Sequence, residues 1–215
     1  MGFLDLLKSQ AAELSSQNSD NARDIAANAA KTEAACQIVS PYFRELAKQL
    51  SVIEPSGPRF SLDGKTPWPA MKLAKFSADS RKKILRDKEV FDTISLGWMI
   101  APKMGIPVGG AVTITFLPEV EKVQKMLDFA NVSYESKEQR HPERKNLQSV
   151  RFEYTTQARG SVIVTADHDA ARLLFRVANA EGFGIITVAI GSERINSNLM
   201  DELAKLIMSQ PSTFP

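Results

Sequence analysis

From Ala22 to Leu50 the chain sets a small or apolar residue at every third or fourth place: Ala22, Ile25, Ala29, Thr32, Cys36, Val39, Phe43, Leu46 and Leu50. A helix brings such positions onto one face, so the segment is expected to be helical and to bury one stripe. The stripe changes along its length. Half of residues 22–35 are alanine, which favours helix but buries little area per turn. Pro41 would cost about 3 kcal/mol inside a continuous helix, whereas Ser40 followed by Pro41 is a good helix start. The expectation is two helices, or one kinked helix, dividing near Ser40. The first presents a thin alanine seam, and the second carries Phe43, Leu46 and Leu50.

Two occupants suit that seam. It can cover the chain's own sheet, or it can pair with a second subunit or another protein. In the second case a protein partner or a homodimer would meet Ala22, Ile25, Ala29, Thr32, Cys36 and Val39. Cys36 on this stripe reads as a small buried hydrophobe rather than a reactive thiol. Residues 3–14 form a separate amphipathic segment through Phe3, Leu7 and Leu14, and residues 1–21 carry a net charge of −2. Interfacial membrane helices are basic on their polar face, so docking onto protein is the better expectation.

Beyond the helices, residues 52–69 are dense in Pro, Gly and Ser and read as a linker, with Trp68 anchoring it to the core. The organisation expected is a helical N-terminal arm, 1–51, a Pro/Gly-rich linker, 52–69, and an α+β domain, 70–215. Strand character marks 71–78, 92–101 and 110–117, with 82–91 ambiguous. An amphipathic helix starts at Pro118 and buries Val120, Val123, Leu127 and Ala130. A short strand (NVSYES), an exposed loop over 137–146 and a hairpin turning at Ala158, Arg159 and Gly160 come next. The pattern then predicts a helix over 167–181 closed by Gly182, a strand (GIITVAI), and a last helix begun within NSN and stopped by Pro211. Residues 92–137 and 149–191 can both be written strand, strand, helix, strand. The fold class is α+β: a largely antiparallel sheet with helices packed on one face, preceded by the helical arm.

Composition bounds function loosely. With 215 residues, 43% hydrophobic, the chain can build a full core. It has 27 basic and 25 acidic residues, so no global field advertises nucleic acid or membrane. The excess sits in 81–88, whose Arg81, Lys82, Lys83, Arg86 and Lys88 could touch phosphates. The same charges along a sheet edge would instead block unwanted pairing. The single cysteine precludes an internal disulfide and any paired metal spacing. A reducing, cytoplasmic setting is expected. No run of about 18 apolar residues is present to span a bilayer.

Chemistry-bearing motifs are few. Asp167, His168 and Asp169 place a histidine between carboxylates, but acidic residues entering a helix are accounted for by capping. His141 falls in the charged loop and reads as solvated. The glycines of MGIPVGGAV and EGFGIITVAIG lack the order of phosphate-binding loops and read as turns. The C-terminal SQPSTFP is expected to fray, or to dock Phe214 on a partner. No catalytic residue, metal ligand or cofactor is assigned. The first functional expectation is protein association through the arm, acting by binding rather than catalysis. The alternatives are a nucleic-acid-associated role for 81–88 and a small-molecule or enzyme site assembled from residues distant in sequence.

Overall fold

The computed structural model describes the backbone of residues 3–141, 143 and 147–215, and side chains from residue 21 onward within those, residue 22 excepted. Among the described residues the elements are α1 (Phe3–Ile53), β1 (Met71–Leu85), β2 (Lys88–Pro102), β3 (Gly109–Ile114), α2 (Leu117–Phe129), β4 (Tyr134–Arg140), β5 (Leu147–Thr155), β6 (Ala158–Asp167), β7 (Arg172–Ala178), β8 (Ile185–Gly191) and α3 (Ser197–Ile207). The strands form two antiparallel sheets, one ordered β1-β2-β6-β7-β8 and a smaller one ordered β3-β5-β4. This is an α+β fold with the long helix packed on the larger sheet.

Two separate helices dividing at Ser40 do not occur: α1 is a single helix that runs through Pro41. Proline removes one N–H, which leaves the carbonyl of Gln37 without its helical partner. Both Pro41 and Gln37 are exposed, so water can serve that carbonyl. The opposite face is dry. Thr32, Ala35, Cys36, Val39, Phe43, Ala47 and Leu50 are buried, and α1 lies against β1, β2, β6 and β7. Each fully buried Val, Leu or Phe here contributes about 1.5–3 kcal/mol.

β1 and β2 form one long hairpin, so the ambiguous stretch 82–91 is its tip. Arg86 and Asp87 make the turn, both at positive φ (49° and 61°), as two-residue hairpin turns require. In β2 the residues Ile94, Leu96, Trp98 and Ile100 are buried while Ser95, Gly97 and Met99 are half-exposed. One face of the sheet is therefore core and the other open. A bulge between Ala74 and Ser77, with Lys75 at φ 52°, shifts the alternation of β1 by one. Leu73 and Phe76 can then both be buried.

Four further expectations are corrected. The 167–181 helix is absent: residues 168–171 form a turn and β7 follows. Leu173, Phe175 and Val177 are buried at period two, and ladders to β6 and β8 on either side override the helical reading. The hairpin around Ala158–Gly160 is also absent, because β5 and β6 belong to different sheets. Thr156 steers the crossover: its buried hydroxyl donates to the Val108 carbonyl at 2.9 Å and accepts the Val108 N–H at 3.0 Å. The strand-strand-helix-strand rhyme consequently holds only for 92–137. Within the expected loop 137–146, β4 continues to Arg140, and residues 142 and 144–146 lie outside the described set.

The segment 52–69 follows the core closely. Phe60, Leu62 and Trp68 are buried, and Trp68 stacks on Tyr154 of β5 at 5.5 Å and meets Phe183 edge-on at 5.1 Å. These rings join the two sheets. The C-terminal tail docks on its own body, with Phe214 against Phe175 at 5.6 Å. Glu202 of α3 holds it by accepting from Lys205 and from the Thr213 N–H.

Two outcomes follow from this packing. A Cβ at Gly160 would lie 2.2 Å from the Trp98 indole, so Gly160→Ala should lower stability by about 1–3 kcal/mol in urea denaturation. An unchanged midpoint would mean that Trp98 is not seated as described. The Lys205 hydrogen bond, aided by Thr213, holds the Glu202 carboxyl down at about 2, below its usual 4.5. A depressed carboxylate stabilises the fold above its ordinary value and loses that effect as pH falls through the folded one. Wild type should thus melt above Glu202→Gln at neutral pH. The gap should close as pH falls from 4.5 towards 2, and a gap independent of pH would exclude the ionised anchor.

Candidate functional site

Where α1 passes the tip of the β1–β2 hairpin, polar side chains tie three elements together. The Asn28 amide donates to the Asp169 carbonyl at 2.9 Å. The Thr32 hydroxyl donates to the Asn28 carbonyl at 2.9 Å and lies 3.2 Å from the Ser192 hydroxyl. Beyond its pairing with β6, the edge of β2 exposes the backbone of Phe91, and side chains satisfy it. Its N–H donates to the Glu33 carboxylate at 3.1 Å, and its carbonyl accepts from His168 Nε2 at 2.8 Å. A carbonyl only accepts, so Nε2 carries the proton.

This geometry gives His168 a structural role. The Asp167 carboxylate accepts from the Ala170 N–H at 3.2 Å and from Arg172 at 2.9 Å. Asp169 pairs with Arg86, and His168 is buried against Phe91. The three side chains diverge. Among the described residues no group of three or more His, Cys, Asp or Glu is placed to hold a metal. His141, at the end of β4, accepts from the Glu143 N–H at 3.3 Å.

The association stripe divides at this junction. Thr32, Cys36 and Val39 are buried in the chain's own core, whereas Ile25 and Ala29 are half-exposed; the Ala22 side chain lies outside the described set. Of the basic segment, Lys82 pairs with Glu89 and sits 5.6 Å over the Phe91 ring. Lys83 pairs with Asp92 and Arg86 with Asp169. Arg81 and Lys88 are exposed.

What the fold brings together is the alanine seam and the hairpin tip. Between them lies a cleft of about 410 Å³, with Ala26, Ala29 and Ala30 on one wall, Leu85 and Val90 on the other, and Glu33, Arg86, Lys88 and Glu89 also lining it. Ala26, Ala30 and Glu33 stand one row beside the stripe picked from the sequence. Their spacing of four and three was visible there, but nothing local says that a hairpin will face that row. Among the described residues no helix is long and apolar enough to cross a membrane. Comparison with known protein families, with curated proteins and with solved structures finds no match.

Burial, with the nearby Glu33 carboxylate adding to it, pushes the Cys36 thiol up to about 12. The thiolate is the reactive species, so a thiol reagent at pH 8 should leave native protein unlabelled and modify one thiol after denaturation. Stoichiometric labelling of native protein would show that α1 lifts readily from the sheet.

Proposed function

We propose that this protein acts by binding rather than by catalysis, associating with protein through the N-terminal half of α1. The observation that carries this reading is the exposed row of small residues on a helix that continues N-terminally from its Asn28 anchor. Ala26 and Ala30 are exposed, and the helix extends from the Asn28 anchor to Phe3, on the order of 35 Å at 1.5 Å per residue. Alanines let a partner backbone approach closely, and the adjoining cleft adds apolar wall from Leu85 and Val90. A reducing, cytoplasmic setting suits the single free thiol.

A second copy of the chain is the first partner to test. Light scattering on a sizing column should give twice the chain mass at micromolar concentrations for the full-length protein, and the single-chain mass for Ala26→Arg/Ala30→Arg with unchanged circular dichroism. A wild-type protein monomeric across that range would remove the homodimer, and a double variant that stays dimeric would move the interface elsewhere. Truncation at residue 52 is not a clean test, because it removes Val39, Phe43 and Leu50 from the core.

A further inference from the structure

The open face of the larger sheet carries a groove of about 770 Å³ across β1, β2 and β6, bounded at one side by Phe129 and Asn131 at the end of α2. Its floor includes Gly97 of β2. A Cβ there would meet nothing nearer than the Ser77 hydroxyl at 3.7 Å, and the residue is outside the left-handed region. Neither packing nor backbone conformation demands glycine. Glycine inside a strand weakens it, and a recurrent use is to let a ligand come close to the sheet.

Cations stand across this floor. Lys75 occupies the bulge of β1 in the left-handed conformation, φ 52°, an arrangement that re-aims a side chain and is found at binding sites. Arg159 is fixed through its backbone: its N–H donates to the Ala130 carbonyl at 2.8 Å and its carbonyl accepts from the Asn179 amide at 2.7 Å. Among the described residues neither cation has an acidic partner, and no carboxylate lines the groove. Three cations of the hairpin tip, by contrast, are all ion-paired. The Phe129 ring is 60% exposed. Asn131 and Gln157 add amides that can both donate and accept.

We propose that this groove binds a nucleotide unit, its base against Phe129 and its phosphate between Lys75 and Arg159. Unpaired cations supply the phosphate contact, an exposed ring supplies a stacking platform, and the amides reach the base edge. The volume lies within the ordinary range of ligand sites. A free nucleotide and one residue of a single strand share this chemistry.

The test is fluorescence anisotropy of a fluorescein-labelled ten-nucleotide oligouridylate with the full-length protein at low salt, with direct calorimetric titration of AMP beside it. Lys75→Asn keeps a residue that tolerates the left-handed conformation, and Arg159→Gln removes the other charge. Each should weaken binding about fivefold or more, and the pair should flatten the salt dependence by close to two phosphate contacts. Phe129→Leu should weaken binding about fivefold or more with the salt slope unchanged. Arg81→Gln/Lys88→Gln at the hairpin tip should stay near wild type. AMP binding and displacing the oligonucleotide identifies a free nucleotide as the ligand, whereas tight oligonucleotide binding without AMP competition identifies a strand. The proposal is overturned if wild type binds neither probe, if the Lys75/Arg159 pair binds as well as wild type, or if the tip variant loses as much. Phe129→Leu alone decides the matter should the charge variants not fold.

Discussion

A five-stranded antiparallel sheet has two faces, and one long helix can dry only one of them. α1 covers the face carrying Leu73, Leu96, Ile100 and Val162, through Val39, Phe43 and Leu50, and the rest of the architecture is arranged around that contact. β1 must change its alternation to keep both Leu73 and Phe76 in the core, and it does so by placing Lys75 in a left-handed bulge. The same local distortion that completes the dry face thus turns a lysine to the groove on the wet one. Core packing and surface chemistry are here set by one backbone event.

The two surfaces differ in how their charges are spent. At the hairpin tip, cations face carboxylates within salt-bridge distance, and solvent-exposed pairs of that kind contribute little to stability while neutralising the field. The tip thereby becomes electrostatically quiet and leaves shape, from alanines and Leu85, as its main offering. In the groove the cations stand uncompensated beside hydroxyls and amides. A nearly neutral chain therefore still presents a locally positive concavity, which net charge alone does not disclose.

The sequence made some of this legible and not the rest, for physical reasons. The α+β class, α2 and α3 follow from apolar spacing and start signals that act within a few residues, such as Pro118 and the Asn196 side chain that accepts from the Leu199 N–H. β7 is not legible as a strand, because Leu173, Leu174 and Val177 satisfy a helical stripe as well as a strand, and only β6 and β8 decide between them. A break into two helices at Pro41 does not follow from sequence, because the cost of a proline depends on whether the carbonyl it orphans meets water. Of the arm junction, Ala29, Arg86 and Lys88 could be named from sequence, but their convergence could not. The groove was invisible, since Lys75, Gly97, Phe129 and Arg159 come from three strands and a helix end, and proximity of that kind is a property of topology.

The hydroxyls of Thr32 and Ser192, 160 residues apart, meet in the interior. A chain made from its N-terminus completes α1 long before β6, β7 and the residues around Ser192 exist to receive it. Until β1 and β2 are made the stripe of Val39, Phe43 and Leu50 has no sheet to cover it, and β6 and β7 complete that sheet only later; non-local closure of this sort is slow. The helix that organises the finished fold is therefore, while the last strands are still being made, an apolar surface only partly covered by its own chain.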